Sequence, residues 1–245
     1  MPWLRKSWRD AGRPGRTEFA RINASAAVPI EVVPDDLHDD TRWADGEADA
    51  NSRPPVKEMF LREVHHRQYG RPWAMGTYIF EFALEAGLRP EHRLLDFGSG
   101  ALRFGNWVIP YLEAGNYFGV EAHLVSLEAA VTYEIPLHGH EWKRPRLLWN
   151  EDFACSHFGT TFDFIVDYSS ARRVKDAARR EQAFSTFAEV LVPGGRLLTS
   201  PRPGIPFEAF TEWGMKLLRR QVQDCPLLQG HDFSSRNNWF EFVGA

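Results

Sequence analysis

The chain has 245 residues, 43% of them hydrophobic and 25% charged, the composition of a soluble globular protein with a full core. Its formal net charge of -4 offers no electrostatic footprint for nucleic acid, so no nucleic-acid partner is expected and a small or neutral one is favoured. Two cysteines, Cys155 and Cys225, are too few for a disulfide framework or a four-thiolate metal site and suit a reducing compartment.

Met1 to Arg21 has no apolar run behind its basic residues, and no stretch approaches the roughly 18 apolar residues of a membrane span. The cytoplasm is the expected location, with no membrane contact. Residues 1–55, rich in Arg, Asp, Ala and Pro, lack sustained periodicity and read as an N-terminal arm, partly irregular. Residues 56–245 read as one domain, in which 56–90 form a helical lid or cap leading into a sheet. Helical patterns fall near Val56–His66 and Trp73–Ala86, the second ended by Gly87 and followed by Pro90.

Strand and helix patterns then alternate: strand Arg93–Phe97, helix Leu102–Glu113, strand Asn116–Val120, helix Leu124–Ile135, strands Arg146–Trp149 and Phe162–Val166, helix Asp176–Leu191, strand Arg196–Thr199. A helix from Pro206 to about Arg219 precedes two last strands, Gln221–Cys225 and Trp239–Val243, whose connecting loop suits an antiparallel pair. The expected fold is α/β, a seven-stranded, mainly parallel sheet with an antiparallel last strand and helices on both faces.

Asp96-Phe-Gly-Ser-Gly100 ends the first of these strands and Glu121 ends the next. At the carboxyl edge of a parallel sheet, Gly98 and Gly100 let backbone approach a ligand closely, and the following helix offers unsatisfied N–H groups. A carboxylate about 20 residues further on can accept hydrogen bonds from both hydroxyls of a ribose. Together these features indicate a nucleoside site. Counted from Gly98, position six of a dinucleotide fingerprint is Arg103, not glycine, which demotes NAD. Asp96-Phe-Gly98 matches a kinase triplet, but the chain has no His-Arg-Asp loop and no P-loop.

Leu95-Asp-Phe-Gly-Ser-Gly-Ala-Leu-Arg-Phe-Gly105, Tyr117-Phe-Gly-Val-Glu121, Phe162-Asp-Phe-Ile-Val-Asp167 and Leu191-Val-Pro-Gly-Gly-Arg-Leu197 resemble, in order, the motifs of class I S-adenosylmethionine-dependent methyltransferases. The resemblance covers about residues 72–245 and implies the Rossmann-like sheet of that family. It departs from the usual pattern at Leu102, where a glycine is common, and fits the subgroup reading Gly-x-Gly-x-Leu-Arg-x-Gly. It implies S-adenosylmethionine as cofactor. Asp96, Gly98, Ser99 and Gly100 would then wrap the methionine portion, Arg103 would reach a carboxylate or Asp96, Glu121 would hold the ribose, and Asp152 with Phe153 would flank adenine.

Methyl transfer from a sulfonium is an in-line displacement, so alignment of the acceptor and exclusion of water dominate. A hydroxyl acceptor also benefits from a general base. Asp167, after the fourth strand, is the first candidate and a further cofactor neighbour; His123 and His231 are also placed near the ligand edge. Asp167-Tyr-Ser-Ser170 replaces the Asn/Asp-Pro-Pro-Tyr of many N-methyltransferases and points to O-methylation of a small-molecule hydroxyl, on a sugar or secondary metabolite. Protein or RNA methylation, and a non-catalytic binding module, remain as alternatives, and a homodimer is compatible with the sequence. His138, His140 and His157 lack metal-ligand spacing and read as solvated loop histidines. Tryptophans 73, 107, 149, 213 and 239 read as core.

Overall fold

A computed structural model of the chain describes residues 23, 24, 26, 28–32, 72–150, 155–174, 176–200, 203–224 and 236–245. The helix expected near Val56–His66 lies outside these residues. Eight strands form one sheet: β1 (Ile30–Val32), β2 (Leu94–Phe97), β3 (Tyr117–Glu121), β4 (Arg146–Trp149), β5 (Phe162–Tyr168), β6 (Leu191–Ser200), β7 (Met215–Asp224) and β8 (Arg236–Gly244). Their order is β1-β4-β3-β2-β5-β6-β8-β7. All pairs are parallel except those of β8, which runs antiparallel to both β6 and β7. The eighth strand, β1, comes from the stretch read as an arm. Glu31 accepts from the Arg146 guanidinium at 2.8 and 3.0 Å, which ties β1 to β4.

Helices α1 (Pro72–Glu85), α2 (Gly105–Tyr111), α3 (Leu124–Ala129) and α4 (Ile135–His138) supply apolar side chains to the core on one face of the sheet. Helices α5 (Ala177–Val190) and α6 (Phe207–Glu212) cover the other. Central strands buried on both faces are what a parallel sheet between helical layers requires. Helix α1 ends as its sequence dictates: Gly87 turns left-handed at φ 95°, and the Leu88 N–H reaches back to the Ala83 carbonyl at 3.0 Å, closing the last turn.

The structure corrects four expectations. The second helix is shorter than Leu102–Glu113, because Leu102 is left-handed at φ 63° and a helix cannot propagate through that conformation. The third is interrupted by a π-helical turn over Ala130–Glu134 before α4. Pro136 lacks the N–H that a regular ladder would use there, and the wider turn absorbs the break. Pro206–Arg219 is not one helix: α6 ends at Glu212, Gly214 turns left-handed at φ 76°, and β7 begins at Met215. Among the tryptophans, Trp239 is buried, whereas Trp107, Trp149 and Trp213 are half-buried; the side chain of Trp73 lies outside the described residues.

Candidate active site

In chain order the strands run outward from β2 to β4 and then return to the other side of β2 at β5. The switch point therefore lies between β2 and β5, where open α/β sheets bind ligands beyond the strand ends. The Gly-rich turn leaves β2 at this point. The N–H groups of Gly98 and Ser99 both donate to the Val120 carbonyl, at 2.8 and 3.0 Å, clamping the turn onto β3. Gly98 and Gly100 have φ 76° and 55°, where a side chain is strained. A Cβ on Gly98 would also stand 1.8 Å from the Ser170 Oγ.

Glu121 is fixed by the same turn: one carboxylate oxygen accepts from the Gly100 N–H and the other from the His123 N–H, each at 2.7 Å. Each oxygen keeps a further lone pair for an incoming hydroxyl. Burial raises the Glu121 carboxyl above its usual range, and the two backbone donors oppose that shift.

Asp96 is buried beside it and accepts from the Tyr117 hydroxyl at 2.7 Å. Burial, with the charges of Glu121 and Asp167 added, raises Asp96 to about 7, while Tyr117 and Arg103 pull the other way. Gly105 makes that contact sterically possible, since a Cβ there would stand 2.9 Å from both the Tyr117 hydroxyl and the Leu102 Cβ. The late glycine of the motif is thus the counterpart of its leucine. Arg103 lies over the Tyr168 ring at 5.9 Å, and Met75 and Tyr78 of α1 also pack against Tyr168. The Ser99 side chain lies against Gly119.

Asp167 is almost fully buried, and both of its oxygens are engaged. One accepts from the N–H groups of Ser170 and Ala171, each at 2.9 Å, and the other from the Thr199 hydroxyl at 3.0 Å. The carboxylate thereby holds the turn that presents Ser170 to Gly98. Burial raises it to about 6 against these donors. His123 caps α3: its Nδ1 accepts from the Ser126 N–H at 3.2 Å. Desolvation lowers it to about 3, so it is neutral at pH 7, and an accepting Nδ1 puts its proton on Nε2.

Asp152, Phe153 and His231 lie outside the described residues. Tyr117, Ser170 and Thr199 were not singled out in the sequence. Only the alternation of β3, which puts Tyr117 two residues before the Gly119 that pairs with Asp96, hints at the first. The histidines expected in solvated loops are more engaged than that: burial pushes His140 down to about 4, and His157 lies 3.2 Å from Glu31. Among the described residues no cluster could hold a metal ion, and no helix is long and apolar enough to cross a membrane.

No family model and no curated protein matches the chain. Solved structures do match. The glycopeptide N-methyltransferase MtfA in complex with S-adenosylhomocysteine is 16% identical, covering 79% of this chain and 99% of its own, with a TM-score of 0.56. Magnesium protoporphyrin IX methyltransferase of Synechocystis PCC 6803, with bound S-adenosylmethionine, is 11% identical over 80% and 100% of the two chains, TM-score 0.55. The N-methyltransferase NodS of Bradyrhizobium japonicum WM9 is 15% identical over 69% and 85%, TM-score 0.53. The chain has the class I S-adenosylmethionine-dependent methyltransferase fold.

Proposed function

We propose that the protein is an S-adenosylmethionine-dependent methyltransferase acting on a small molecule in the cytoplasm. The observation that carries this reading is Glu121, whose carboxylate is held between the Gly100 and His123 N–H groups at the switch point with lone pairs to spare. The donor set fits the cofactor. Asp96, Glu121 and Asp167 crowd negative charge at one edge, which suits a ligand bearing a sulfonium and an ammonium. Glu121 would hold the ribose, and Asp96, Gly98, Ser99, Gly100 and Arg103 the methionine portion, with Asp152 and Phe153 at the adenine. When bound, the cofactor supplies an activated methyl group. Met75, Tyr78 and Tyr168 supply an apolar wall that excludes water.

The acceptor is proposed to be a hydroxyl on a sugar or secondary metabolite, because Asp167-Tyr-Ser-Ser170 departs from the N-methyltransferase tetrapeptide. A second reading, N-methylation, has its own support: Asp167 spends one oxygen on the turn and the other on the Thr199 hydroxyl, and His123 spends Nδ1 on its cap, leaving neither free as a base. A neutral amine needs no base to attack a sulfonium. MtfA and NodS are both named N-methyltransferases. Radiolabelled methyl transfer to matched alcohol and amine acceptors separates the two. Transfer to the alcohol supports the first reading, transfer to the amine alone replaces it with the second, and failure to bind the cofactor removes both.

A further inference from the structure

Strand β6 ends at Ser200. The hydroxyl oxygen of this serine is buried, and among the described residues it has no hydrogen-bond partner. A buried hydroxyl costs free energy until something completes it. The backbone around it is firmly held: the Ser169 N–H donates to the Ser200 carbonyl at 2.6 Å, and Ser169 itself is left-handed at φ 66°. Strain of this kind persists only where neighbours enforce it. Asp167 does so by gripping the Ser170 and Ala171 N–H groups that follow.

Register and alternation put Ser200 on the face of the candidate site. Asp96 pairs with Val166, and Val166 with Leu198. Val166 and Leu198 point into the core shared with α1 and α2, so Asp96 lies on that face too. Two residues further along the same face, Tyr168 pairs with Ser200. Ser200 is therefore two strands from β2, about 10 Å at ordinary strand spacing, and nearer the carboxyl edge than Asp96. Its cross-strand partner Tyr168 is the wall residue against which Met75 and Tyr78 pack. On β8, Trp239 precedes the Phe240 that pairs with Thr199. The Trp239 ring lies 5.7 Å from that of Tyr168 and stacks on Phe82 of α1 at 4.5 Å, while its N–H is taken by Gln223 at 2.8 Å.

We propose that the Ser200 hydroxyl is the recognition group for the methyl acceptor, accepting a hydrogen bond from an uncharged hydroxyl carried on an aromatic body. The inference rests on the methyltransferase reading above and names the acceptor class for it. Tyr168 and the side chains packed on it offer the apolar contact that such a body needs. A serine hydroxyl stays neutral. It therefore orients the acceptor O–H and leaves a lone pair of that oxygen free for the methyl group, without serving as a base. The carboxylates of Asp96, Glu121 and Asp167 crowd the same edge and oppose an anionic acceptor.

The test uses the full chain saturated with S-adenosylhomocysteine, with 2-phenylethanol, ethylbenzene and phenylacetate as probes and calorimetry as the readout. Ser200→Ala should bind the alcohol about fivefold more weakly than wild type does, and ethylbenzene no more weakly. Ser200→Thr, which keeps the hydroxyl, should retain the alcohol. Phenylacetate should bind both proteins more weakly than 2-phenylethanol binds wild type. Affinity for S-adenosylhomocysteine should not change. Thermal unfolding separates recognition from a structural role: without a partner to lose, Ser200→Ala should melt at or above the wild-type Tm in the apo state. A lowered Tm, no binding of the alcohol, or alcohol affinity indifferent to Ser200→Ala overturns the proposal. Should the chain not take up S-adenosylhomocysteine, the methyltransferase reading fails, and the alcohol comparison without it still decides the role of Ser200.

Discussion

Leu102 stands where a glycine is common, and its backbone keeps the glycine conformation, φ 63°. Left-handed backbone at a non-glycine residue costs about 1–2 kcal/mol. Complete burial of the side chain in the core offsets that strain, since a buried leucine contributes roughly 1.5–3 kcal/mol. Leu102→Ala loses the packing and keeps the strain, whereas Leu102→Gly loses both. Chemical denaturation should therefore find the alanine variant less stable than the glycine variant by about 0.5–1.5 kcal/mol, the reverse of the usual order. Asp96 makes a separate expectation. Its raised value of about 7 means that the folded state holds a proton the unfolded chain releases near 4, so apo stability falls as pH rises from about 4 to 7. Asp96→Asn removes that dependence. It should stabilise the apo protein at pH 8 by about 1–3 kcal/mol while weakening cofactor binding. Asp96, Gly98, Gly100 and Glu121 were legible because their spacing is set along one strand-turn-helix unit. Ser170 and Thr199 were not, because they arrive at Gly98 and Asp167 only when β5 and β6 pair beside β2.

The element that defeated sequence reasoning most clearly is β7. Met215, Leu218 and Val222 fall at helical spacing, and a β-bulge at Leu218 erases the period-2 alternation that marks a strand. Strand β1 was missed for a different reason. Three residues in an otherwise aperiodic stretch give no pattern, and β1 exists by pairing with β4. The Arg146–Glu31 pair is partly solvent-screened, with side chains 39% and 26% exposed, so Glu31→Ala should cost less than about 1 kcal/mol globally. Its effect should be local. Hydrogen exchange is expected to speed at the β1 amides while cofactor affinity stays unchanged; slowed or unaltered exchange would show that the ion pair does not hold the strand.

At the scale of the whole molecule, the alternation of strands and helices revealed the layered sheet, and the carboxyl-edge rule pointed to the candidate site. The order of the sheet adds what the sequence lacked: it brings Asp96, Glu121 and Asp167 to one edge, where a cation relieves their mutual repulsion. The most direct test is calorimetric titration of S-adenosylmethionine into wild type and Glu121→Gln at pH 8 and pH 6. Glutamine must turn an amide N–H toward one of the two backbone donors, so the variant should bind at least about tenfold more weakly. Protonation of Asp96 should weaken wild-type binding about tenfold at pH 6 relative to pH 8. Micromolar affinity at pH 8 with both losses is the expected result, and no binding at millimolar cofactor, or affinity indifferent to Glu121→Gln, would contradict the account.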